Sequence, residues 1–180
     1  MIEQNIGPEA ARYGFIAWSD EELAQHADQK RPRFSAMAHA SLPVRDLEQA
    51  KRFYTEVLGG RLILNLPEFI EVEVAGMIFG FSTHSGRVQA PDAEYPHIAF
   101  YIESQQFLPM QRWLDEHGVK THALWTRNGR EGLMYFKDPS GNLFEIYCKR
   151  FDGADELQRG GARGGDGIVD LTTLNYDWKG

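Results

Sequence analysis

The chain has one cysteine in 180 residues, no long apolar run, and fewer basic than acidic side chains. A single thiol, Cys148, excludes an internal disulfide framework and agrees with a reducing compartment. It lies in the apolar run Leu143–Cys148 with no second thiol, so a buried structural role is expected. No stretch reaches the roughly eighteen apolar residues that cross a bilayer, which argues against a membrane protein. Nineteen Lys and Arg against 26 Asp and Glu leave a net charge of −7. A phosphate-backbone binder needs a basic stripe, so no nucleic-acid partner is expected. The first residues, Met1-Ile2-Glu3-Gln4-Asn5, lack the basic and apolar regions of a secretory signal, and a cytoplasmic location is expected.

What the chain does have is core material and a repeat. Apolar residues make up 42%, with eleven Phe, seven Tyr and four Trp, enough for one domain or two small modules sharing a core. Two histidines, His39 and His97, open matching segments. Seven residues after them come Asp46 and Ser104, both suited to cap a helix, and twenty-one after them come Gly60 and Gly118, where a helix should end. A fixed spacing of this kind marks a duplicated unit. Each copy reads as strand, helix, then three strands. The first spans about 35–83, with a helix from Asp46 and strands at Leu62–Leu66, Phe69–Val74 and Met77–Phe81. The second spans about 95–149, with a helix from Ser104 that tolerates Pro109 only near its first turn. Its strands fall at Thr121–Trp125, Leu133–Phe136 and Leu143–Cys148, the last two joined by the turn Asp138-Pro139-Ser140-Gly141.

The ends differ in character. Residues 1–34 form a polar extension in which Ser19 and Glu22 make a capping box for a helix over Glu21–Gln29. In 151–180, a glycine-rich connector at 159–167 precedes an apolar segment, 168–178, expected to dock on the domain or on a partner subunit.

One residue does not fit its surroundings. Glu145 stands in the otherwise apolar run Leu143-Phe144-Glu145-Ile146-Tyr147. Burying an unpaired carboxylate costs on the order of several kcal/mol, so Glu145 should be exposed, paired or bound to metal. If the two copies pack symmetrically, His39 and His97 meet at one point. Two imidazoles and one carboxylate would then leave open coordination positions, as in non-haem Fe(II) oxygenases and other catalytic divalent-metal sites.

The motifs His39-Ala40-Ser41-Leu42-Pro43-Val44-Arg45-Asp46-Leu47, Phe53-Tyr54 to Leu58-Gly59, Tyr95-Pro96-His97-Ile98-Ala99-Phe100 and Tyr135 to Glu145 resemble the vicinal oxygen chelate superfamily. That superfamily includes glyoxalases, extradiol dioxygenases, fosfomycin-resistance proteins and bleomycin-resistance proteins. The resemblance covers roughly 36–149. It implies an α+β fold of two βαβββ modules forming a cupped mixed sheet around one divalent metal, with His39, His97 and Glu145 as ligands. In small members the cup is often completed between two subunits, so the resemblance also implies a homodimer, with the site either within one subunit or shared, His39 of one joining His97 and Glu145 of the other.

Within the superfamily the residues discriminate. The fourth, carboxylate ligand of lactoylglutathione lyases is missing from Met77–Phe81, and Glu71 and Glu73 read as solvated strand residues. Fosfomycin-resistance proteins share the ligand set, with Ser41 in the place of a pocket threonine. Their basic and hydroxyl grip has only Arg127 and Arg130 to replace it. Extradiol dioxygenases share the ligands and the closing motif but carry acid–base histidines that this chain lacks; His84 and His122 are nearby surface candidates. Tyr135 is the candidate hydrogen-bond donor to substrate, or else a core aromatic. The first reading is an Fe(II) dioxygenase acting on a small substrate. The second is a Mn, Zn or Ni enzyme of the fosfomycin or glyoxalase kind, and the third is a non-catalytic ligand-binding protein.

Overall fold

The computed structural model describes residues 38–83, 90–127, 129–160 and 170–180, with Glu21 alone before them. The extension helix beyond Glu21, His84 and residues 161–167 of the glycine-rich connector lie outside the described residues, whereas Arg159, at the connector's start, belongs to a short strand. The chain divides into residues 1–37 and 38–180, and the second unit holds every element described below.

The first copy runs β1 (His39–Pro43), α1 (Leu47–Arg52), β2 (Arg61–Asn65), β3 (Phe69–Val74) and β4 (Met77–Ser82). The second runs β5 (Ile98–Tyr101), α2 (Ser104–Glu116), β6 (Trp125–Thr126), β7 (Gly132–Lys137) and β8 (Leu143–Cys148). The sheets have strand orders β1-β4-β3-β2 and β5-β8-β7-β6, the same topology twice. The second sheet gains β9 (Gln158–Arg159) alongside β6. In each copy the first strand pairs in parallel with the last and forms the sheet edge. The expected α+β fold of two βαβββ modules is what forms.

Local chemistry explains the helix starts unequally. Asp46 caps α1 as expected, its carboxylate accepting from the Gln49 amide. A π-helical turn, Phe53–Val57, continues the helix, and Gly59 ends it at φ +68°, a conformation most side chains avoid. Ser104 does not cap α2. Glu103 takes that place without a side-chain bond, while the Ser104 hydroxyl bonds Asp152. Pro109 is the sixth residue of α2, beyond the first turn, so the helix forgoes one backbone bond there. Burial of Phe107 and Leu114 on the same helix outweighs that loss.

One core serves both copies. Tyr54, from the π-helical turn, lies against Phe79 and Phe81 of β4 and Phe144 of β8. Phe144 stacks in turn on Phe100 and Phe136. Alternation along the strands then sends the other set of side chains to the opposite faces. On the first sheet that face carries His39, Ser41 and Gly80. On the second it carries Leu133, Tyr135, Lys137, Leu143, Glu145 and Tyr147. A Cβ at Gly80 would come within 2.8 Å of the Phe69 ring and 3.2 Å of the Ser41 hydroxyl, so the glycine keeps that ring beside Ser41.

A buried polar knot ties the copies together. Asp138 accepts hydrogen bonds from the Tyr54 hydroxyl, the Ser140 and Asn142 amides and the Asn142 side chain. Asn142 also donates to the Pro43 carbonyl at the end of β1. Burial pushes the Asp138 carboxyl up, and these bonds pull against it. Tyr54→Phe removes one donor and should cost about 1.5–3 kcal/mol. The urea midpoint measures it, and an unchanged midpoint would contradict this role for the knot.

Candidate metal centre

β8 brings Glu145 opposite Tyr135 of β7 and beside Ala99 of β5. His97 directly precedes β5, just after the cis Tyr95–Pro96 peptide. Its Nε2 lies 3.2 Å from Glu145 Oε2. On the far side of the ring, Nδ1 lies 2.8 Å from the Glu94 carbonyl. A carbonyl only accepts, so Nδ1 carries the proton and Nε2 turns its lone pair towards Glu145 in the neutral ring. The Glu145 carboxylate raises the His97 pKa by hydrogen bonding, against a lowering from burial.

Glu145 is only 5% exposed, and its second oxygen, Oε1, has no hydrogen-bond partner. A buried carboxylate oxygen left open beside an imidazole nitrogen suits a divalent cation, which would take the place of a proton on that nitrogen and be held by both groups. The residues present therefore fit a metal. The Tyr135 ring lies 5.4 Å from His97, and its hydroxyl donates to Glu94 Oε1 at 3.0 Å. Glu94 thus orients the histidine with its backbone and the tyrosine with its side chain.

The remaining candidates separate. His39 and Ser41 are exposed on β1, the edge of the other sheet. Among the described residues no three histidine, cysteine or carboxylate side chains of one chain gather closely enough to hold a metal ion. Symmetric packing within one chain does not bring the two histidines together, because the copies join through their core-facing sides. Glu71 and Glu73 are half-buried and alternate along β3 with the buried Ile70, Val72 and Val74. Cys148 is buried, as expected. His122 is buried rather than on the surface, with Nδ1 against the Ala123 carbonyl and Nε2 accepting the Asp170 amide. Arg127 Nε lies 3.9 Å from Glu131 Oε2 in the loop before β7, and Arg130 is exposed in the same loop.

Three participants have little signature in the sequence. Glu94 stands in a polar linker, and its place three residues before His97 is the one hint of local bonding. Glu131, 3% exposed and accepting from the Tyr147 hydroxyl, resembles any other loop charge. Lys137, 1% exposed, stands beside a turn where lysines are ordinarily solvated.

Comparison with known proteins agrees with the fold. Residues 36–146 match the family described as Glyoxalase/Bleomycin resistance protein/Dioxygenase superfamily. The chain is 27% identical over 115 residues to a glutathione transferase FosA of Serratia marcescens, covering 62% of this chain and 79% of that protein. It is 25% identical over 114 residues to a metallothiol transferase FosB of Staphylococcus saprophyticus, covering 61% and 74%. A solved structure of the fosfomycin resistance protein FosX of Listeria monocytogenes, complexed with Mn(II) and sulfate, aligns with a TM-score of 0.58 at 22% identity, over 68% of this chain and 96% of that one. A glyoxalase/bleomycin resistance protein/dioxygenase of Alicyclobacillus acidocaldarius aligns at 0.56 and 26%, over 67% and 96%. These relatives give the Fe(II) dioxygenase reading no support and favour the second one. Fold, repeat and sequence match agree: the chain belongs to the glyoxalase/bleomycin resistance/dioxygenase family, within the vicinal oxygen chelate superfamily.

Proposed function

We propose that this chain is a divalent-metal enzyme that holds a small substrate through two neighbouring oxygens and promotes addition of a thiol or water to it. The observation that carries the reading is the unpartnered Glu145 oxygen beside a histidine nitrogen already aimed by its neighbour. His97 and Glu145 of one chain and His39 of a second copy would hold the metal, since His39 stands exposed on the other sheet. When bound, the metal supplies Lewis-acid stabilisation of negative charge on the chelated oxygens.

The chain's own residues supply aim and environment. Glu94 keeps His97 in one tautomer and orientation. Burial raises the Tyr135 pKa well above that of a free phenol, so Tyr135 acts as a protonated donor and not as a base. In this reading Ser41, two residues along β1 from His39, meets the same substrate from the second copy. Arg127, beside Glu131, is the candidate contact for an anionic group, with Arg130 further along the loop. Mn, Zn or Ni is preferred to Fe(II) for two reasons. The relatives of similar sequence are named as a glutathione transferase and a metallothiol transferase, and His122, the described acid–base candidate for a dioxygenase, has both ring nitrogens engaged by backbone groups.

Glu145→Gln separates metal binding from folding. The amide keeps a polar group facing His97 Nε2 and removes a carboxylate whose other oxygen lacks a partner, so the metal-free Tm should change little, while Mn2+ affinity falls roughly a hundredfold or more. A large drop in the metal-free Tm with affinity retained would mean that Glu145 is structural. Mixing His39→Ala with His97→Ala protein tests the shared site. Random exchange should restore about a quarter of wild-type metal content, because half the dimers are mixed and each holds one intact site. No recovery after verified subunit exchange would refute sharing.

A further inference from the structure

The segment from Asp170 to Trp178 lies beyond the region matched to the family, yet it is bound to the domain at both ends. Leu171 and Leu174 pack with Trp125, Leu133, Tyr135 and Leu143, on the sheet face that carries Glu145. At the other end Trp178 is 5% exposed, edge-on to Phe53 at 5.5 Å. Its indole donates to the His117 carbonyl, and its own carbonyl accepts from Gln49.

Between these anchors stands Lys137. Its ammonium has three protons and three acceptors: the Pro91 carbonyl at 2.6 Å, the Leu171 carbonyl at 3.1 Å and Asn175 Oδ1 at 3.1 Å. The backbone carbonyl of the same residue accepts from the Tyr176 hydroxyl at 2.7 Å. Lys137 therefore clamps the C-terminal segment to the stretch that leads into β5. Three residues beyond Pro91 is Glu94, which holds both His97 and Tyr135. A buried ammonium bonded to three neutral oxygens, with the Asp92 carboxylate acting on it only through its field, is a demanding arrangement, since much of the desolvation is repaid only if every donor finds its acceptor.

We propose that Lys137 and the C-terminal segment 170–178 are positioning elements for the metal centre, holding Glu94 so that His97 and Tyr135 keep their aim. The segment also walls off the β6–β7 half of the face, whereas Ala99 and Tyr101 on β5 stay exposed. Substrate and the second copy's His39 thus approach Glu145 from the β5 side. The effect on metal rests on the function proposed above; the mechanical clamp does not.

Amide hydrogen exchange of the full-length, metal-free protein tests it, comparing wild type with Lys137→Met and with the double variant Leu171→Ser, Leu174→Ser. Mn2+ titration of the same three proteins follows. In both variants exchange at residues 92–97 should rise about tenfold while β3 and β4 keep their protection, and the Mn2+ dissociation constant should rise roughly tenfold. Unchanged exchange at 92–97 overturns the proposal. So does a rise shared equally by β3 and β4, or a local rise that leaves Mn2+ affinity as in wild type. A wild type that binds no Mn2+ sinks the metal reading, and the exchange result then decides the mechanical one.

Discussion

A carboxylate buried on the sheet face turned away from the core, with one oxygen against an imidazole and the other without a partner, is the constraint on which the rest of the site depends. In water such a group is satisfied at no cost; at 5% exposure it is a standing penalty unless something charged meets it. The surroundings of Glu145 are arranged around that fact. Tyr135 sits directly across the ladder but gives its hydroxyl to Glu94, and His97 presents a nitrogen whose proton has been drawn to the other side of the ring. Tyr135 is engaged elsewhere and His97 meets only Oε2, so Oε1 is left without a partner. That open oxygen is what the proposed metal reading rests on.

Duplication explains why the donor set is divided. Each copy places its opening histidine at a parallel edge strand, and each turns its apolar face to a common aromatic core. Joined through that side, the two polar faces point away from one another. In the proposed reading a chain built this way carries two half-sites, which the complementary face of a second molecule would close. The exposed His39 and Ser41 on one half, and Ala99 and Tyr101 on the other, are the surfaces such closure would cover.

Much of this is legible in the sequence because it follows from periodicity and spacing. Strand β3 falls where alternation places it and β8 where its apolar run does, the Asp46 cap forms, and Glu145 declares itself as a misfit. What is not legible depends on contacts distant along the chain. Ser104 has the chemistry of a cap but finds Asp152, forty-eight residues away, and Pro109 survives mid-helix because Phe107 and Leu114 hold that helix to the core. His122 reads as a surface residue until the C-terminal segment folds onto it. Lys137 cannot be read as a clamp, since its three acceptors come from two separate stretches of chain. The apolar content of the C-terminal segment shows that it must dock; where it docks, on the face that carries Glu145, is beyond local pattern.

A metal shared between two chains is the point on which the proposed chemistry turns. Native mass spectrometry of the Mn2+-loaded protein measures both mass and metal content in one spectrum. Two metal ions on a species of twice the chain mass, with metal-free monomer alongside, is the expected result. A monomer that carries one metal ion, or a dimer that carries none, would contradict it.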